Sequence, residues 1–270
     1  MATGITGDRR AFHAMDAKMR PLEGKVVLVT GAGVRVGRAI AEALGRAGAS
    51  VGVHFHGSEA AAEETLRAVR ADGNRAARFR ADLSDPAAAE PLAAAVEAEL
   101  GPIAGLVNSA AIFERAPFAE TPLDVLDRQW AINARGPYLL TQAVVRRMLA
   151  RGGGDVVNVL DIGGVFQPWR QYSAYCMTKA AMGALTRCLA LELAPTIRVN
   201  GVAPGAVLPP ESLDAASLEA IRANVPLQRL GSAEDVARTV LFLLTGPSYV
   251  TGQIVAVDGG RSLGSARAPA

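Results

Sequence analysis

Apolar residues along this chain fall into short unbroken runs separated by longer stretches of mixed character. Lys25–Thr30 (KVVLVT), Val51–Phe55, Ala76–Arg80, Ala104–Asn108, Val156–Leu160, Ile197–Ala203 and Ile254–Asp258 are such runs, and they predict strands. Runs apolar at successive positions, rather than at every second one, belong to strands covered on both faces, as in parallel sheets. Between them, Arg38–Ala47, Glu59–Ala71, Pro86–Leu100, Leu123–Ala150, a stretch from near Ala174 to Leu193, and Ala233–Leu244 predict helices. Strand and helix alternate with short joints, the signature of a doubly wound parallel sheet with helices on both faces. The pattern covers residues 22–263 without an internal repeat or linker, which predicts one α/β domain. Residues 1–21 and 264–270 read as mobile tails, and 206–218 (AVLPPESLDAASL), with two prolines, as a mobile lid.

Composition narrows the picture. At 270 residues and 50% hydrophobic content the chain can bury one sizeable core. A net charge of +2 points to neither nucleic acid nor an anionic membrane as a main partner. No apolar run reaches the length of a membrane span, and residues 1–20 lack the apolar stretch of a signal peptide. The two cysteines, Cys176 and Cys188, fall on one predicted helix, too far apart to bridge. A cytoplasmic, reduced protein acting on a small molecule is expected.

The candidate chemistry centres on Asp155 to Leu193. Asp161 follows the Val156–Leu160 strand, and ligands of open parallel sheets bind outside the carboxyl ends of strands. Tyr175 and Lys179 lie one helical turn apart, on one face of the helix that follows. A phenol titrating near 10 is a poor acid at neutral pH, and a cation about 4 Å away supplies roughly 4 kcal/mol toward lowering it. Lys179 is therefore expected to make Tyr175 a working proton donor. Lys18, Lys25 and Lys179 are the only lysines in an Arg-rich chain, so a compact ammonium is needed at position 179.

A second feature lies at the first strand. Gly31-Ala-Gly33-Val-Arg35-Val-Gly37 connects it to a helix, and such a turn lets backbone approach a pyrophosphate held by the helix N-terminus. The second strand ends in His54-Phe55-His56-Gly57-Ser58, without the carboxylate that takes the ribose hydroxyl of NAD. NADP is therefore favoured, with Arg35 and Ser58 available for its 2′-phosphate. Neither histidine has metal-ligand company, so no metal is expected. Asn133 inside a helix competes for backbone bonds and asks for a reason.

Strand, small-residue turn and Tyr-x-x-x-Lys together resemble the short-chain dehydrogenase/reductases, a family of Rossmann-type fold, over about Leu22 to Leu263. Thr30, Gly31 and Gly37 match the family's T-G-x-x-x-G-x-G turn, with Val36 inside it. Asp161 in place of the family's serine, Arg35 in place of the middle glycine, and His54-Phe55-His56-x-Ser58 are similar to the pteridine reductase branch. The resemblance implies catalytic roles for Asp161, Tyr175, Lys179 and Asn133, the last supporting a water that relays protons to the lysine. It implies that Thr30, Gly31, Arg35, Val36, Gly37, His56, Ser58, Asp82, Leu83, Asn108, Ser109, Ala110, Tyr175, Lys179, Pro204 and Gly205 hold NADP(H). Phe113 matches the aromatic on which the branch stacks a pterin, beside Asp161 and Tyr175. The chain departs from the branch at Ala111, at Gly57 and in an Asp161–Tyr175 gap one residue longer.

The resemblance, carried by these residues, implies an NADPH-dependent reductase of a dihydropterin or similar flat heterocycle. A ketone or aldehyde reductase on the same scaffold is the alternative, with Asp161 only orienting the substrate. A non-catalytic NADP sensor is the remoter one, and it has no use for Asn133, Tyr175 and Lys179. Apolar residues on more than one face of the helices (Leu139, Leu140, Val144; Met182, Leu185, Leu189) call for a further partner. With the resemblance they imply a homotetramer.

Overall fold

The strands β1 (Val26–Val29), β2 (Ser50–Phe55), β3 (Ala76–Arg80), β4 (Ile103–Asn108), β5 (Gly154–Val159), β6 (Ile197–Pro204) and β7 (Ile254–Val257) form one sheet. Their order is β3-β2-β1-β4-β5-β6-β7, and every pairing is parallel. The structure is a computed structural model and describes residues 20–71, 73–208 and 213–264. Residues 1–19 and 265–270 of the expected tails, and 209–212 of the expected lid, lie outside the described residues.

Successive side chains of a strand point to opposite faces, and here both faces are apolar. Val27, Val29, Val51 and Val53 join one core with Ile40, Leu44, Leu66, Val240 and Leu243. Those partners come from α1 (Arg35–Arg46), α2 (Glu59–Ala71) and α9 (Ala233–Thr245). Val26, Leu28, Leu106 and Val156 join the opposite core with Leu92, Val96, Leu140, Val144 and Ala190. These belong to α3 (Ala89–Leu100), α5 (Gly136–Leu149) and α7 (Ser173–Leu193). Unbroken apolar runs in the central strands follow from that arrangement, since both of their faces are covered, while the edge strands β3 and β7 leave Arg78, Arg80 and Ala256 exposed.

Five expectations are corrected. The stretch Leu123–Ala150 is not one helix. It divides into α4 (Leu123–Trp130), a π-helical turn at Ala131–Arg135, and α5. Helix α1 begins at Arg35 rather than Arg38, so the turn's third glycine is already helical. Asp161 opens a short helix, α6 (Ile162–Val165), where only a turn was expected, and the lid carries α8 (Ala215–Ala223). Leu140, Val144 and Met182 are buried against the chain's own sheet, so they do not ask for an outside partner. The apolar residues left exposed on α4, α5 and α7 are Leu123, Trp130, Tyr138, Leu149, Met177 and Leu191. No helix among the described residues is long and apolar enough to cross a membrane.

Candidate active site

Strand order reverses between β1 and β4, and the turns that leave these two strands open a cleft of about 870 Å³. Topological switch points of this kind are where open α/β sheets take their ligands. Thr30 ties the two turns together from behind: its buried hydroxyl accepts from the amides of Ser109 at 2.9 Å and Ala110 at 3.0 Å. Gly31 sits at φ 63°, and a Cβ there would stand 2.8 Å from the Ala110 Cα, so only glycine lets the turns approach.

The N-terminus of α1 faces this end of the cleft. Its N-cap, Val34, gives no side-chain bond, and no acidic residue lies in the first turn. The first-turn amides are left for an anionic ligand, as a pyrophosphate requires. Arg35 enters the helix at φ 53°, a conformation strained for arginine, and its guanidinium donates to the Leu208 carbonyl beyond β6. His54 fixes the turn from β2. Its Nδ1 accepts from the Gly31 amide at 3.1 Å, while Nε2 faces the Ala81 carbonyl at 3.1 Å. Burial lowers its titration to about 4, so it is the neutral ring with the proton on Nε2 that spans the two.

Of the expected cofactor residues, Gly31, Arg35, Val36, Gly37, His56, Ser109, Ala110, Tyr175, Lys179, Pro204 and Gly205 line the cleft. Leu83, Asn108, Ser58 and Asp82 do not line it. The Leu83 side chain is buried in the core beneath α5. The Asn108 amide is buried and donates to Thr141 and Asn158, each at 2.9 Å. Ser58 packs beside Gly33, and Asp82 turns its carboxylate to the Ser84 amide and hydroxyl, which hold it below the usual carboxylate range. Arg80, which no motif singled out, donates to the His56 carbonyl at 3.2 Å and adds a cation where β2 ends.

At the far side of the sheet switch, β5 delivers Asp161. The carboxyl caps α6, its Oδ1 accepting from the Gly163 amide at 2.6 Å, while Oδ2 accepts from the Tyr175 hydroxyl at 3.2 Å. Gly164 allows this closeness, because a Cβ there would stand 2.5 Å from the Lys179 Cβ on α7. Lys179 is buried, and its Nζ donates to the Val159 carbonyl at 2.9 Å.

Electrostatics differ here from expectation in one respect. Burial, with Asp161 adding to it, pushes the Tyr175 phenol up, well above its usual range, and Lys179 does not reverse this. The ammonium lies 5.8 Å from the Tyr175 ring centroid and spends its bond on Val159, so its pull is weaker than a 4 Å contact supplies. Burial also raises Asp161 to about 6 and lowers Lys179 to about 8, with the lysine and the carboxyl each holding the other back. Two acids in contact thus sit in a pocket that favours their protonated forms.

Asn133 lies in the π-helical turn. Its Oδ1 accepts from the Ile112 amide at 2.8 Å, and its Nδ2 donates to the Ile112 carbonyl at 2.8 Å and to Thr178 at 3.3 Å. It therefore clamps the segment after β4 to α7. Phe113, just beyond, is half-exposed and stacks on Tyr172 at 4.4 Å, edge-on to Tyr175 at 4.7 Å and to Trp169 at 5.7 Å. Sequence reasoning missed Trp169 and Tyr172 because nothing local distinguishes aromatics of a loop; only the fold gathers them.

Comparison with known proteins agrees with this geometry. The family model described as Enoyl-(Acyl carrier protein) reductase matches residues 31–262. L-rhamnose 1-dehydrogenase (NAD(P)(+)) of Sphingomonas sp. (strain SKA58) is 35% identical over 90% of this chain and 98% of its own. The 2,3-dihydro-2,3-dihydroxybenzoate dehydrogenase of Bacillus subtilis (strain 168) is 32% identical over 90% of this chain and 98% of its own. Among solved structures, a putative short-chain alcohol dehydrogenase from Sinorhizobium meliloti 1021 superposes with a TM-score of 0.86 at 28% identity, covering 91% of this chain and 99% of that one. With the Asp161, Tyr175 and Lys179 cluster at the carboxyl ends of a seven-stranded parallel sheet, the chain belongs to the short-chain dehydrogenase/reductase family, oxidoreductases that use nicotinamide cofactors.

Proposed function

We propose that the protein is an NADPH-dependent reductase of a C=N bond in a dihydropterin or similarly flat heterocycle. The observation that carries this reading is the buried Asp161 carboxyl in hydrogen-bond contact with Tyr175, beside the Phe113, Trp169 and Tyr172 rings. Aromatic walls suit a flat guest. A carboxyl that titrates near 6 can hold a proton for a ring nitrogen, which a serine cannot.

A nicotinamide cofactor, when bound, supplies the hydride that the carbon of the C=N bond accepts. The uncapped start of α1 and the Gly31 turn fit its pyrophosphate. Arg35, Arg80 and the absence of a carboxylate at the end of β2 favour the 2′-phosphate of NADP. Tyr175 passes its proton to the substrate nitrogen and the protonated Asp161 replaces it, so carbon and nitrogen leave as CH–NH. Lys179 keeps positive charge beside the pair, and Asn133 fixes the wall of the pocket through Ile112.

A second reading, reduction of a carbonyl or the reverse oxidation of an alcohol, has support of its own. Relatives named for rhamnose and for a dihydrodiol act on hydroxyl compounds, and Tyr172 already covers one face of Phe113. Steady-state NADPH oxidation with dihydrobiopterin, dihydromonapterin, dihydrofolate and simple diketones tests both. Turnover confined to the diketones would decide for the second.

The enzyme reads as cytoplasmic, its two cysteines unpaired. It also reads as a homotetramer assembled through the exposed apolar residues of α4, α5 and α7, Trp130, Tyr138 and Met177 among them.

A further inference from the structure

We propose that Arg261 is a specificity-determining anchor for an anionic substituent, a carboxylate or phosphate, on the substrate. The proposal rests on the cleft being the substrate site, but not on which bond is reduced there.

Arg261 opens the short 3-10 turn Arg261–Leu263 that follows β7, and its side chain lines the cleft. Asp258 builds that turn. Its two carboxylate oxygens accept from the Gly260 amide at 2.9 Å and the Ser262 amide at 2.7 Å, while its carbonyl takes the Arg261 amide at 3.2 Å. The nearest carboxylate in sequence is thus committed to backbone, and the arginine is held at a fixed place.

The guanidinium lies 5.9 Å from the Trp169 ring centroid, over the indole face. Stacking of this kind orients a guanidinium while leaving its N–H edge for a planar acceptor. Among the described residues Arg261 is half-buried, yet its side chain has no hydrogen bond and no ion pair. Other arginines among the described residues that reach neighbouring elements are paired there with a carboxylate or a carbonyl, as Arg78 is with Glu63, Arg198 with Asp155 and Arg80 with the His56 carbonyl. The indole N–H of Trp169 is also buried and without an acceptor. A buried donor without an acceptor is costly unless a ligand completes it, and the guanidinium beside it keeps its N–H edge open to the same ligand.

Other charged groups of the cleft agree on the sign. Among the described lining residues Arg35, Arg170 and Lys179 add positive charge and Asp161 is the one carboxylate; Arg261 is close enough to pull the Asp161 carboxyl downward. An anionic substituent held at Arg261 and Trp169 would leave the reacting part of the molecule to Phe113, Tyr175 and Asp161.

The chain has two tryptophans, so in a Trp130→Phe background the fluorescence reports Trp169. The full chain is titrated with benzoate, phenyl phosphate and the uncharged benzamide at pH 8. Benzoate or phenyl phosphate should bind roughly tenfold to a hundredfold tighter than benzamide, the range of a charge-assisted pair. The stronger of the two anions identifies the group. Arg261→Met should bring the ratio close to one and Arg261→Lys restore part of it, each with an unchanged circular dichroism spectrum. Equal affinities, an undiminished ratio in Arg261→Met, or no quenching by either anion at millimolar concentration would overturn the proposal. None of these outcomes depends on turnover, so the reductase reading stands or falls separately in the NADPH assay.

Discussion

The Tyr175 hydroxyl and the Asp161 Oδ2 stand 3.2 Å apart, in surroundings that press both groups toward their protonated forms. The carboxyl is the only one of the two that titrates near neutrality. If its proton serves reduction, kcat/KM should fall as pH rises through about 6. Asp161→Asn should lose this limb and lower turnover by roughly 10² to 10⁴. Asp161→Ser should lose heterocycle reduction and gain weak carbonyl reduction. Full activity of the serine variant on the best wild-type substrate would make Asp161 an orienting group only.

The same carboxyl works against stability. Its folded pKa, about 6, lies above the ordinary 3.8, so the folded state holds the proton more firmly and loses stability as pH climbs from 3.8 to 6. Above that window the loss is about 3 kcal/mol at 1.36 kcal/mol per unit. Asp161→Asn keeps an oxygen for the Gly163 amide, and should therefore unfold at higher urea than wild type at pH 7 but not at pH 4. Equal midpoints at pH 7 would contradict this.

His54 runs the other way. It titrates near 4 when folded and near 6.5 when not, so stability is lost as pH falls through 6.5 toward 4, by about 3 kcal/mol in all. Since Asp161 gains stability over part of the same range, the wild-type curve mixes both. Denaturation of His54→Asn against wild type across pH 4 to 7 isolates the histidine. A pH-independent difference would show that the ring does not titrate in this window.

Cofactor choice is read at Arg35. NADPH should be preferred over NADH by roughly tenfold or more, the value of one charge-assisted phosphate contact. Arg35→Gly should erase most of that preference while easing the positive-φ strain, so its melting temperature should not fall. Equal kcat/KM of the wild type for the two cofactors would refute the assignment.

Much of this was legible in the chain. Val26 to Val29 reads as a doubly covered strand because a parallel strand has no polar face to show, and the glycine turn follows it locally. Tyr175 and Lys179 needed only the helix period. What escaped depended on distance or on depth. His54, Arg80 and Arg261 act on residues far along the sequence, and no spacing reveals that. The sign of the Tyr175 shift turned on burial outweighing a lysine whose bond goes to Val159, which a charge placed at an assumed distance could not show. The short helix at Ile162 hid behind two glycines that look like a turn.

The π-helical turn at Ala131–Arg135 has a consequence for how this region tolerates change. One residue of an α-helix subtends about 100° of rotation. The turn accommodates one more residue than an α-helix would, and so sets the angular phase between α4 and α5. In that phase Asn133 faces Ile112 while Leu140 and Val144 face the sheet. Deleting a single residue here would leave the count an α-helix holds, so the turn could close to α-helix with the apolar stripe of α5 still on the sheet, and the loss would fall on Asn133 and its clamp. The extra residue thus serves the pocket wall rather than the core.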